Sequence, residues 1–205
     1  MPALGSAAIP SSAGEWALFA VLAVAAFVLG SISPATMIAR ARKGDLSLGS
    51  GNPGATNAGR LLGVRYGVIV GLLDVLKGFL PALLTLLLVD RFTAYAVGLA
   101  CVLGHMFSPF LRWRGGKGVA TALGAVLALL PWLALAMLVV FGVVLAIRRW
   151  VALASMSAAV ALAVLAFVVP MPAPDVAGRV FAVVLAVLVV LRHRRNIVAW
   201  AATRR

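Results

Sequence analysis

One cysteine, two histidines and five carboxylates are all that these residue classes contribute to a chain of 205 residues. Cys101 alone permits no internal disulfide and is too little for a cysteine metal site. Glu15, Asp45, Asp74, Asp90 and Asp175, with His105 and His193, show no metal-ligand spacing, so no metal centre is expected. Charge of either sign is scarce, at 11% of residues against about a quarter in an ordinary soluble domain, which excludes a water-soluble globule and a disordered tail. What takes its place is apolar. Hydrophobic residues make up 64% of the chain and the mean hydropathy is +1.12, the composition of an integral membrane protein.

The formal charge of +13 would raise the question of nucleic acid in a soluble domain. In a membrane chain it speaks instead of sidedness, and no nucleic-acid partner is expected. The first cation is Arg40, so no basic signal-peptide region precedes the apolar run from Trp16 to Leu29, which is expected to stay as a first span. Apolar runs broken by charge, Pro or Gly give seven expected transmembrane helices in one membrane domain, 1–205, with spans near 15–39, 62–89, 92–110, 118–130, 132–147, 151–169 and 177–191. The fourth and fifth, divided at Pro131, fall short of the roughly 20 residues a crossing needs, and fit either two crossings or one kinked or re-entrant hairpin.

With the N-terminus outside, the inner segments carry Arg40, Arg42, Lys43, Arg60, Arg65, Arg112, Arg114, Lys117, Arg148, Arg149, Arg192, Arg194, Arg195, Arg204 and Arg205. The outer ones hold only Arg91 and Arg179, and Lys77 falls within the second span. The positive-inside rule then places the C-terminus in the cytoplasm. Asp45 is the one acid on the inner side, so that face combines many cations with almost no carboxylate and suits an anionic ligand.

Three polar segments gather there. The first, Gly49-Ser50-Gly51-Asn52-Pro53-Gly54-Ala55-Thr56-Asn57-Ala58-Gly59-Arg60, contains a formal GxGxxG, but a membrane helix precedes it where a dinucleotide fingerprint needs a strand. It reads instead as a nest-forming loop entering the second span, with Thr56 or Asn57 as candidate N-cap and Arg60 as a fork for phosphate. A capped interhelical loop with solvated polar residues is the plainer alternative. The second, Arg112-Trp113-Arg114-Gly115-Gly116-Lys117-Gly118-Val119-Ala120-Thr121, lacks the Walker A spacing, yet offers bare N–H groups and an ammonium at a helix start. Phosphate binding and a positive-inside anchor fit it equally. In the third, Arg192-His193-Arg194-Arg195-Asn196, His193 and Asn196 would share a face if the helix continued. Alone, that cluster reads first as a stop-transfer segment drawn to anionic lipid.

Other features read as structural. Gly59, Gly63, Gly67 and Gly71 form a small-residue stripe for close helix packing. Asp74 and Lys77, three apart, are expected to satisfy one another, and His105 to be a packed or interfacial histidine rather than a base.

Taken together, the three segments resemble the bacterial acyl-phosphate:glycerol-3-phosphate acyltransferase family of seven-helix membrane enzymes. The specific part is the run from Ser50 to Arg60, then Asp74-Val75-Leu76-Lys77-Gly78, Gly104-His105-Met106-Phe107 and Gly115-Gly116-Lys117-Gly118-Val119-Ala120-Thr121. The chain departs at Ala152, where the family has a serine, and after Asn196, where Ile197-Val198-Ala199 replace the usual continuation. The resemblance implies transfer of an acyl chain from acyl phosphate to the 1-hydroxyl of glycerol 3-phosphate, giving lysophosphatidate and phosphate, the first step of phospholipid synthesis. It implies a multi-pass protein of the bacterial inner membrane with its active site on the cytoplasmic face, contact with membrane lipid, no cofactor or metal, and coupling to the enzyme that makes acyl phosphate from acyl-acyl carrier protein. It places His193, Asn196 and Ser50 at the reacting centre. Asn52, Gly54, Thr56, Asn57, Arg60, Gly115, Gly116, Lys117, Gly118, Thr121 and Ser155 are its candidate substrate-binding residues. The His-x4-Asp signature of thioester-dependent acyltransferases is absent, since Phe110 and Val198 stand five residues after the two histidines. Two alternatives stay open: a transporter of organic phosphates, and a catalytically lapsed relative that binds anionic lipid.

Overall fold

Ser12 starts the first helix by a reciprocal cap: its hydroxyl accepts from the Glu15 N–H at 3.2 Å, and the Glu15 carboxylate accepts from the Ser12 N–H at 3.1 Å. In the computed structural model, which describes residues 9–169 and 176–202, the helix that follows, α1 (Ala13–Ser31), stops at Ile32. Pro34, which has no N–H to donate, opens α2 (Pro34–Ala41) from a Ser33 cap. Asp175, Arg204 and Arg205 of the charge distribution lie outside the described residues.

Every described element is helical or turn: after α2 come α3 (Ala55–Leu62), α4 (Val64–Leu88), α5 (Arg91–Met106), a 3-10 turn (Pro109–Leu111) and α6 (Val119–Leu129), then α7 (Pro131–Arg148), α8 (Val151–Val168), α9 (Val176–Arg192) and α10 (Arg194–Ala202). Five spans are long and apolar enough to cross a membrane: α1 with α2, α4, α5 with its 3-10 turn, α7 and α8. The pair α9 and α10, bent by 47° at His193, makes a sixth if taken as one span. At 11 residues α6 is about 16 Å long, roughly half of a hydrocarbon core.

The chain divides into two compact units, Met1–Leu129 and Leu130–Arg205. In the first, α4 packs on α3, α5 and α6, and α1 packs on α5. Two of these crossings share one device. A Cβ at Gly30 would overlap the Cys101 carbonyl, and a Cβ at Gly104 would overlap that of Phe27. Likewise Gly78 abuts the Thr121 carbonyl and Gly124 that of Val75. Each helix thus supplies a glycine three residues beyond the carbonyl its partner's glycine receives, so the backbones close to a separation no larger residue allows.

The stripe from Gly59 to Gly71 does not lie on one helix. Gly63, at φ 102°, breaks it and turns α3 back along α4. Gly67 then rests against the Gly59 backbone and the Ala55 carbonyl, and Gly71 faces the Ala55 methyl. The small residues serve a hairpin rather than a continuous face.

The break in the first span leaves carbonyls that a bilayer cannot hydrate. Ser108 Oγ donates to the Ser31 carbonyl at 2.7 Å, and Lys77 Nζ donates to that of Ile32 at 2.9 Å. The expected partnership of Asp74 and Lys77 is present at 2.8 Å, as an ion pair without hydrogen-bond alignment at Oδ1. Lys77 also meets His105 Nδ1 at 2.8 Å.

In the second unit α8 packs between α7 and α9. Trp150, just before α8, stacks on Trp200 of α10 with ring centroids 6.3 Å apart, which ties the last short helix back to the α7–α8 turn.

Gly104→Val is expected to destabilise the protein by about 2 kcal/mol or more through overlap at the α1–α5 crossing. Gly142→Ala, whose new Cβ has nothing within 4 Å, should stay within about 0.5 kcal/mol. Thermal unfolding in detergent compares them, and equal Tm values would show that the α1–α5 contact is not as close as described.

Candidate functional site

The first candidate segment is organised from the inside by one side chain. Asn57, 1% exposed, donates through Nδ2 to the carbonyls of Leu46 and Leu48 at 2.9 and 3.2 Å and accepts the Ser50 N–H at Oδ1, 3.1 Å away. Its amide is therefore committed to holding the loop, and the cap of α3 falls to Gly54, with no side-chain cap. The expectation that Thr56 or Asn57 caps the second span is corrected on both counts: α3 is a separate helix, and α4 begins only after Gly63. Asp45 adds a local turn by accepting from the N–H and hydroxyl of Ser47 at 2.8 and 2.7 Å, hydrogen bonds that hold its carboxyl below the ordinary carboxylate range. Ser50, Thr56 and Arg60 are left exposed, Asn52 is half-buried and Gly54 is buried.

The second segment lies against the end of α5. Gly116 donates its N–H to the His105 carbonyl at 2.9 Å, so that group is not bare as expected. Cβ atoms at Gly115 and Gly116 would overlap the His105 carbonyl and the His105 Nε2, so the glycines are required by contact with one residue. Gly118, at φ 76°, presses on Met106 and Val102, and its carbonyl takes the Ala122 N–H to begin α6. Lys117 between them is half-buried. Thr121 is fully buried on the α4 side, and its hydroxyl has no hydrogen-bond partner among the described residues.

These two segments converge along α4. Ala55, the first residue of α3, faces Gly71, while Thr121 and Gly124 in the first turns of α6 meet Gly78 and Val75. Two helix N-termini thus reach the same helix within about two turns of each other. The charges report the same approach. Partial burial pushes the Lys117 ammonium below the ordinary lysine value, and the field of the Arg60 guanidinium pushes it further the same way. Two cations held in each other's field, Lys117 just before α6 and Arg60 in the last turn of α3 rather than in a first turn, form an arrangement that an anion relieves.

The third segment belongs to the second unit. The helix does not continue evenly through His193: the Asn196 and Ile197 N–H groups both donate to its carbonyl, so it stands at the bend where α10 starts. The imidazole is buried, and Nδ1 donates to the Val189 carbonyl at 2.8 Å. Asn196 is half-buried on the first turn of α10. Ser155, buried in α8, turns its hydroxyl to the Val151 carbonyl at 2.8 Å.

The residue types of the three segments mark them in the sequence, but not the partners that hold them. Of the residues that join the broken first span to the second segment, Lys77 carries the signal of its spacing from Asp74 and His105 reads as a packed or interfacial histidine, while Ser108 carries none.

Comparison with known proteins gives a consistent result. The family model described as glycerol-3-phosphate acyltransferase matches residues 20–203. The glycerol-3-phosphate acyltransferase of Aquifex aeolicus is 44% identical over 179 residues, covering 86% of this chain and 92% of that one. The glycerol-3-phosphate acyltransferase of Geotalea daltonii is 41% identical over 179 residues, covering 86% and 91%. Among solved structures, the integral membrane glycerol 3-phosphate acyltransferase PlsY in its glycerol 3-phosphate form superposes with a TM-score of 0.86 at 41% identity, over 92% of this chain and 94% of that one. Its lysphosphatidic acid form gives 0.83 at 40% identity, over the same shares.

Asn57→Ala is expected to free the Ser50 amide, raising its hydrogen-exchange rate at least about tenfold, as a loss of about 1.4 kcal/mol would. Asn57→Asp keeps the acceptor and should protect that amide while losing the donors to Leu46 and Leu48. Indifference of the Ser50 amide to both changes would remove Asn57 as the hub of the loop.

Proposed function

The chain belongs to the glycerol-3-phosphate acyltransferase family, and from that premise we propose that it transfers an acyl group from acyl phosphate to the 1-hydroxyl of glycerol 3-phosphate, giving lysophosphatidate and phosphate. The observation that carries this reading is the shared field of Lys117, just before α6, and Arg60, in the last turn of α3. Both substrates bring phosphate, and such a cradle stabilises it without a metal. In this reading Ser50, Asn52, Gly54, Thr56 and Arg60 attend glycerol phosphate, and Gly115, Gly116, Lys117, Gly118 and Thr121 form the phosphate loop. Asn57 serves by shaping the first segment.

The chemistry asks little of a protein base. The glycerol oxygen attacks the acyl carbonyl, the carbonyl–phosphate oxygen bond breaks, and the departing phosphate takes the hydroxyl proton. Alignment of the reactants and stabilisation of the developing oxyanion then supply the rate. His193, whose Nδ1 is committed to the Val189 carbonyl, would orient the hydroxyl through Nε2, and Asn196 and Ser155 would line the reacting centre. The cations counted along the chain support seven crossings with the N-terminus outside and the site facing the cytoplasm of a bacterial inner membrane. The enzyme that makes acyl phosphate is then the partner on that side.

Purified protein given acyl phosphate and glycerol 3-phosphate should release phosphate and form lysophosphatidate in equal amounts. Counterflow of glycerol 3-phosphate in sealed vesicles without acylation would overturn the proposal in favour of transport. Arg60→Ala is expected to lower kcat/KM for glycerol 3-phosphate at least about tenfold, and an unchanged value removes Arg60 from the site.

Lys117 loses its charge at a lower pH than an ordinary lysine, so activity should fall on the alkaline side as the ammonium deprotonates. Lys117→Arg, which keeps its charge, should move that limb to higher pH. A coincident profile would mean that another group sets it.

A further inference from the structure

The buried cluster of Asp74, Lys77 and His105 is used by none of the steps above, yet it lies directly beneath the second segment. Asp74 and Lys77 come from α4, His105 from the last turn of α5, and all three are at least nine-tenths buried. Lys77 Nζ is 2.9 Å from the Ile32 carbonyl, 2.8 Å from Asp74 Oδ1 and 2.8 Å from His105 Nδ1. His105 Nδ1 is itself 3.4 Å from Asp74 Oδ1. On the far side of the ring, Nε2 faces Gly116 so closely that a Cβ there would overlap it, and the His105 carbonyl accepts the Gly116 N–H.

The Asp74 carboxylate, 2.8 Å from Nζ, holds Lys77 as an ammonium, which has donors only. His105 Nδ1 must then accept. An imidazolium, which donates from both nitrogens, cannot face Lys77 in this way, and the neutral ring is left with its proton on Nε2, toward the loop.

We propose that Lys77 and His105 are positioning residues for the Gly115–Gly118 loop: the ammonium locks His105 as its Nε2–H tautomer, and the ring edge and carbonyl of His105 together set the height at which Gly116 presents the loop to phosphate. Lys77 also binds the broken first span through Ile32, so a single cation fixes the loop against three elements, α1, α4 and α5. This inference rests on the reading of that loop as a phosphate cradle.

Its first test needs no turnover. The chain has two histidines, and their Nδ1 atoms play opposite roles: that of His193 donates to the Val189 carbonyl, whereas that of His105 accepts from Lys77. In a nitrogen NMR spectrum of histidine-labelled full-length protein near neutral pH, with His105 assigned by its survival in His193→Gln, an unprotonated Nδ1 and a protonated Nε2 are expected. Lys77→Met should shift His105 off that pattern. A protonated Nδ1 in the wild type, or a pattern indifferent to Lys77→Met, overturns the tautomer lock.

Kinetics test the consequence, with KM measured separately for glycerol 3-phosphate and for acyl phosphate. His105→Asn keeps a polar group where Nδ1 stood but removes the edge beneath Gly116. It is expected to raise one of the two KM values about tenfold or more while kcat changes less than about threefold, and the affected substrate is the one whose phosphate the loop holds. His105→Gln, which can return an N–H to the Nε2 position, should recover most of that loss. Two unchanged KM values in an active His105→Asn protein, or no recovery in His105→Gln, overturn the positioning role. A wild type that makes no lysophosphatidate while His105 shows the stated tautomer would instead overturn the acyl-transfer reading alone. Should His105→Asn not accumulate, His105→Gln and the wild-type spectrum decide the matter.

Discussion

A helix interrupted inside a bilayer must find donors for the carbonyls it abandons, because no water is there to supply them. The stop at Ile32 imposes that demand, and Lys77 meets it from α4 and Ser108 from the link just after α5. The ammonium is itself stabilised by Asp74 and drawn to His105, so one backbone interruption fixes the relative registry of α1, α4 and α5. The reciprocal glycine crossings are consistent with this: a side chain can bridge helices in this fashion only where the backbones already lie close. Polar bridging and glycine contact are two parts of one solution.

Much of this architecture was legible in the residues. Composition alone required a membrane protein, and the expected spans 62–89, 132–147 and 151–169 differ from α4, α7 and α8 by no more than two residues at either end. The regions that misled are those where a helix turns without an apolar interruption. Gly63 looked like a member of a packing stripe because four-residue spacing says nothing of φ, and only the chain path reveals that it ends one helix and starts another. The bend at His193 was invisible for a related reason, since a basic run reads the same whether the helix continues or re-starts.

The candidate site divides in the same way. Glycines, an arginine and a lysine close together suit an anion by residue type, and they suit a membrane anchor as well. Their supports do not announce themselves. Asn57 resembles a ligand-binding residue in the sequence, yet its amide is filled by the backbone of its own loop. His105 resembles a packed histidine, yet both nitrogen-bearing edges of its ring are under constraint. Residues that shape a site act through contacts made across distant stretches of chain, and these leave no local pattern.

The level of His105 on α4 has one more consequence. Asp74, its neighbour there, stands ten residues beyond Val64, or about 15 Å along the helix. On the proposed reading of the Gly115–Gly118 loop, a phosphate reaching Gly116 would lie well below the first turn of α4 and would exchange its hydration shell for backbone amides and cations during that descent.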